Sequence, residues 1–252
     1  MDLNPLRKVT YSRVGQTLRV LGDLGVTLED LKRLRCDRRF AERLVAFWKA
    51  GAVTGEPIPD SDSQATARAI MGKNFLGLEE VRRSYGIALD PEPLAEIPFS
   101  EETLQACKDT HVLVAGAALS LNEIRQLAEG DFYETDWYKR ESFATTKVGA
   151  RWYLLRKEPV PESRGKTYDQ QCSLLTKEEE VPLACEVTYM VILYWLTHRE
   201  RLLPDVYVRC RDKGSNGNCV YVAGFGSFGS GEFAVGDGWD NDRLGLASAR
   251  KR

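Results

Sequence analysis

Histidine is scarce in this chain. Only His111 and His198 occur, too few imidazoles for a multi-histidine metal centre. The six cysteines, Cys36, Cys107, Cys172, Cys185, Cys210 and Cys219, include no C-x-x-C pair, so the zinc-ribbon and dithiol redox patterns fail. No Asn-x-Ser/Thr sequon occurs, and Met1 to Lys8 lacks the apolar stretch of a secretory signal. Reduced, mostly buried thiols and a cytoplasmic location are therefore expected. Long hydrophobic runs are missing too. The greasiest segment, Val187 to Leu196, is about half the roughly 20 residues that a spanning helix needs, so it reads as a buried helix and no membrane partner is expected. No internal repeat is visible, and no cofactor motif survives inspection.

What is present is the composition of an ordinary globular protein, 43% hydrophobic and 29% charged over 252 residues, enough to bury a sizeable core. The net charge of −2 hides an uneven distribution. Residues 1–50 carry eleven Lys/Arg against six Asp/Glu, whereas residues 51–150 carry nine against seventeen. A basic head on an acidic middle hints at partner binding.

Three stretches organise the chain: a helical region over 1–51, a linker or long loop over 52–66, and a main domain over 67–252. In the first, Tyr11 to Leu24 and a segment capped by Thr27 read as helices, and Asp37 can cap a third. This is a helix-turn-helix module or a helical cap on the main domain. Gly55, Pro57, Pro59 and the polar run Asp60 to Ser63 mark the linker. Further on, a helix ends near Tyr85, and Pro91, Pro93 and Pro98 imply extended chain. Ser100 caps a helix, and His111 to Leu119 reads as a buried strand. Ser120 and Glu123 form a capping box, Arg151 to Arg156 a strand, and Tyr168 to Leu175 a short helix. A long helix runs from Pro182 to about Leu202. Val206 to Asp212 and Cys219 to Phe225 flank a hairpin loop, Glu232 to Val235 suggests another strand, and Arg243 to Lys251 a last helix. Depending on where the hairpin turns, Cys210 faces Cys219 or Ala223, which leaves a disulfide open. The expected fold is α+β, with a mixed or antiparallel sheet, a central apolar helix and a C-terminal hairpin.

Few motifs carry chemistry. Gly224 to Gly229 fits G-x-G-x-x-G after a strand, but the glycines that follow deny it the helix a dinucleotide loop must open, so it reads as a loop. Asp237, Asp240 and Asp242 gather oxygen ligands of the kind hard cations prefer, although the spacing is not that of an EF-hand. A Cys107–His111 thiol–imidazole pair needs both side chains in hydrogen-bond reach. The most informative stretch is Trp137 to Tyr168, where eight Lys/Arg oppose three Glu and alternate with aromatic residues. Cations neutralise phosphates and aromatic faces stack on unpaired bases. On this reading Lys139, Arg140, Arg151 and Arg156 contact phosphates, and Trp137 or Tyr153 stacks.

Asn74-Phe75-Leu76-Gly77-Leu78-Glu79-Glu80, Lys108 to Val114, Leu119-Ser120-Leu121 and the closing Leu244 to Lys251 together resemble a group of uncharacterised bacterial hypothetical proteins. The resemblance covers roughly residues 70 to 252. It implies a bacterial, cytosolic setting and transfers no activity or site. The sequence thus leads to a binding or interaction protein whose partner is nucleic acid or another protein. The alternatives are an enzyme using the Gly/Asp-rich C-terminal loop on a small substrate, and a structural subunit.

Overall fold

The computed structural model describes residues 18, 27–38, 57–128, 136–204, 206–223, 234–237 and 244–252. The chain divides into two compact units, Met1–Ala52 and Val53–Arg252. Within the first, helix α1 (Leu28–Cys36) starts where Thr27 and Asp30 cap each other reciprocally. Asp37 closes this helix, its N–H donating to the Arg33 carbonyl at 2.8 Å. The helix expected over 11–24 and the remainder of one beginning at Asp37 lie outside the described residues.

The second unit is α+β. Helix α2 (Asp62–Met71) begins inside the expected linker, because Ser61 and Gln64 form a capping box that ends the loop at residue 61. A two-residue strand β1 (Phe75–Leu76) leads into α3 (Leu78–Tyr85), which stops at Gly86 in the left-handed region, φ 69°. The proline stretch is not simply extended, since Glu92–Leu94 forms a 3-10 turn. Helix α4 (Glu101–Cys107), strand β2 (His111–Ala115) and α5 (Leu121–Leu127) follow. The strand ends four residues earlier than its apolar run suggests. At Gly116 a Cβ would lie 2.0 Å from the Tyr153 ring, so this is a close backbone approach.

Next come α6 (Ser142–Thr145), β3 (Trp152–Arg156), α7 (Tyr168–Cys172) and β4 (Glu179–Glu180). The long helix α8 (Ala184–His198) ends at Arg199, φ 56°, short of Leu202. From Ala184 to Tyr194 every residue of α8 is buried, the mark of a helix covered on all sides. It packs on α3 and α5 and on strands of both sheets described below.

Strands β5 (Tyr207–Lys213), β6 (Cys219–Ala223) and β7 (Ala234–Asp237) run antiparallel, as the hairpin signal predicts. A bulge between Arg209 and Lys213 shifts the register, so Tyr207, not Cys210, opposes Ala223. All six cysteines are free thiols, so the Cys210–Cys219 disulfide is not formed. The C-terminal helix expected over 243–251 is instead two short strands, β8 (Leu244–Leu246) and β9 (Ala249–Arg250). Pairing partners outweigh local helix preference there. Strand β8 runs parallel to β5, and β9 lies between β3 and β4.

Two mixed sheets result, in the orders β1-β2-β3-β9-β4 and β7-β6-β5-β8. One face of the first carries Phe75, Leu113, Trp152 and Leu154, with the Phe75 and Trp152 rings 5.4 Å apart. The other carries Val112, Val114, Tyr153 and Leu155. No helix among the described residues is long and apolar enough to cross a membrane.

Candidate anion-binding site

The structure does not bring the six basic and aromatic candidates onto one surface. Trp137, Lys139 and Arg140 sit in the turn before α6. There the Trp137 indole N–H donates to the Val235 carbonyl at 3.3 Å and Lys139 pairs with Asp136 at 2.6 Å. Arg151 and Arg156 flank β3 at opposite ends. Arg151 is committed internally: it reaches the buried Glu186 carboxylate at 2.8 Å and lies over the Tyr153 ring. Tyr153 is 5% exposed and donates its hydroxyl hydrogen to the Gly149 carbonyl at 2.8 Å. Burial pushes its phenol up to about 12. Strand alternation suggests that Tyr153 points outward from Trp152. Both faces of β3 are covered instead, so this ring is not presented to a base.

Of the proposed metal ligands, Asp237 contributes its backbone to β7, and Asp240 and Asp242 lie outside the described residues, as does the Gly224–Gly229 loop. No cluster of His, Cys, Asp or Glu suited to a metal ion occurs among the described residues. Glu179 and Glu180 form β4 and so belong to the sheet. The Cys107–His111 pair is not joined by a hydrogen bond, and burial raises the Cys107 thiol. A smaller pocket of about 210 Å³ is lined by Cys185, whose thiol burial pushes up to about 12. Neither sulfur is poised as a thiolate at neutral pH.

Arg156 remains. It lines a groove of about 620 Å³ with Arg164, Lys166, Glu158, Glu162 and an apolar floor that includes Val160, Leu203 and Val206. That volume is in the range of small-molecule sites. Arg156, Arg164 and Lys166 form no ion pair with any described residue. Two of the three described non-glycine residues with positive φ, Glu162 at 60° and Leu203 at 54°, line this groove. Such conformations cost of order 1–3 kcal/mol each and persist only where the surroundings enforce them.

Those surroundings are visible. The Val160 N–H donates to the Leu246 carbonyl at 2.9 Å, and the Leu246 N–H to the buried Ser163 hydroxyl at 3.0 Å. Gln171, fully buried, donates to the Ser163 and Leu244 carbonyls and accepts from Arg209, which also donates to the Lys166 carbonyl. Gly245 admits Pro159, where a Cβ would lie 2.5 Å from the proline ring. Strand β8 and helix α7 therefore hold the 156–166 segment in place.

Behind Arg156 the five-stranded sheet gathers a polar row. His111 opposes Arg156 across β2–β3, and Glu179 opposes Arg250 across β4–β9. The pairing of Leu155 with Ala249 sets Arg156 and Arg250 diagonally on the same face. His111 is 4% exposed. Its Nδ1 lies 2.8 Å from the Thr110 hydroxyl, while its Nε2 is buried without a partner. The Nε atoms of Arg156 and Arg250 are buried and unpartnered as well. Burial, then the Arg156 charge, depresses the His111 imidazole to about 4. Burial opposes ionisation of Glu179, but hydrogen bonds from Thr176 and Ser248 and the nearby Arg156 hold its carboxyl below the usual range.

Sequence reasoning found Arg156 but missed its companions. Arg164 and Lys166 lie within the basic stretch yet are separated from Arg156 by two prolines, and Arg250 comes beside it only through the insertion of β9. Compared with known proteins, the chain matches no family model, no curated protein and no solved structure, so the reading of this site rests on its own geometry.

Proposed function

We propose that this is a binding protein for a small anionic ligand, taken up in the groove of Arg156, Arg164 and Lys166. The observation that carries this reading is that three cations line one small-molecule-sized groove and none of them is neutralised by an ion pair among the described residues. The apolar floor suits the body of such a ligand, and the internally braced wall suits a preformed site. The resemblance noted in the sequence adds a bacterial, cytosolic setting to the proposal.

A single-stranded polynucleotide stacks its bases on exposed aromatic faces beside the cations. Of the two stacking candidates only Trp137 is exposed, at 40%, and it stands on a different element from Arg156. This favours a small anion over a nucleic acid as the ligand.

The test is a thermal-shift screen of small phosphates and carboxylates, with single-stranded DNA alongside, at low and moderate salt. A ligand that binds only the folded state raises Tm with its concentration. A saturable shift that disappears in Arg164→Glu/Lys166→Glu supports the groove. Absence of any shift, or a shift unchanged in that variant, overturns it. Binding of DNA alone, unaffected by the variant and lost in Lys139→Glu/Arg140→Glu, would move the site to the Trp137 turn.

A further inference from the structure

Resting on the groove reading, we infer that the ligand presents a tetrahedral dianion, a phosphoryl group or sulfate itself, clamped between Arg156 and Arg250. The argument begins with strand register. Diagonal neighbours on one sheet face have Cα atoms roughly 7–8 Å apart, within reach of long side chains converging on one small group. Arg156 and Arg250 hold this relation. Neither guanidinium makes an ion pair or hydrogen bond with any described residue, although both residues are only partly exposed.

Charge decides the class. Two guanidiniums on adjacent strands repel unless an anion lies between them, and Lys157 stands nearby as well. The one carboxylate in the row, Glu179, already accepts from the Thr176 N–H and hydroxyl and the Ser248 hydroxyl, so its lone pairs are largely taken. His111 completes the row without adding charge, and its buried Nε2, lacking any partner, marks polar capacity left unused at this end of the sheet. The surplus is positive and its donors come from more than one strand. A planar carboxylate is satisfied by a single bidentate arginine. Two separate guanidiniums match a dianion with three acceptor oxygens better.

The test uses inorganic phosphate, sulfate and acetate as probes in calorimetric titrations of the full chain at pH 7.5. Wild type is compared with Arg250→Met, which keeps the apolar stem, and with Arg164→Ala/Lys166→Ala. Tm and circular dichroism establish that each variant is folded, and Arg250→Gln serves if the methionine variant is not. The expected result is saturable binding of phosphate or sulfate, at least tenfold tighter than acetate, that weakens at least tenfold in the Arg250 variant. Phosphate and sulfate separate on acidification, because inorganic phosphate takes up a proton near neutral pH and sulfate does not. Acetate binding as tightly as the dianions would overturn the class. Dianion binding that falls in the Arg164/Lys166 variant but not in the Arg250 variant would overturn the clamp and leave the groove reading intact. No binding of any probe would overturn both.

Discussion

Replacing His111 by phenylalanine should flatten the acid limb of the stability curve. In the folded chain the imidazole is 4% exposed, faces Arg156 across the strand pair, and is depressed to about 4 from an ordinary value of 6.5. Unfolded, it titrates normally. As pH falls below about 6.5 the unfolded chain takes up a proton that the folded chain refuses, so stability drops until the pH reaches about 4, below which both states are protonated. Two and a half units at about 1.4 kcal/mol each give roughly 3 kcal/mol of destabilisation from this one group. Urea unfolding followed by tryptophan fluorescence at several pH values between 7.5 and 4 measures it. His111→Phe and His111→Gln each remove the titration, and the difference in slope between wild type and variant isolates it from the carboxylates. Parallel slopes in wild type and both variants would refute the reasoning.

Three further outcomes are expected. Glu79 is held to about 2, chiefly by the Arg82 side chain, so it adds stability that is complete above about pH 4.5 and is lost as pH falls toward 2. Glu79→Ala removes the carboxylate that Arg82 and Arg83 share and should cost about 2 kcal/mol at neutral pH in urea unfolding. Gly116→Ala drives a Cβ into the Tyr153 ring, itself anchored through the Gly149 carbonyl. About 1–3 kcal/mol of destabilisation should follow, read as a fall in Tm, and an unchanged Tm would show that the ring yields freely. Finally, a double-mutant cycle on Arg151 and Glu186 should give a coupling of about 1–2 kcal/mol, between the values for exposed and fully buried pairs, because Glu186 is buried and Arg151 is not. A coupling near zero would mean that Arg151 is free to serve a ligand.

Much of the local structure was legible from spacing alone. Thr27 with Asp30 and Ser120 with Glu123 announce their helices because the cap satisfies backbone donors within four residues. The Ser61–Gln64 box was equally readable and was masked by the prolines before it. The β5–β6 hairpin follows from glycines between two apolar strands, and the burial of α8 from its unbroken hydrophobicity. These features depend on neighbours in sequence.

What tertiary structure decided depends on distant partners. Leu244 to Arg250 has the composition of a helix, yet β5 on one side and β3 and β4 on the other offer edges that complete its hydrogen bonds as strands. Alternation along β3 divides its residues between two faces, but only the placement of α8 determines that Tyr153 is buried like Trp152. The candidate site shows the same division. Its basic character lies in the sequence between Arg151 and Lys166. Which cations act together was set by register and by an insertion: Glu186 claims Arg151, and β9 brings Arg250 to Arg156 across nearly a hundred residues of chain. Charge belongs to residue type, whereas convergence of charge belongs to strand order.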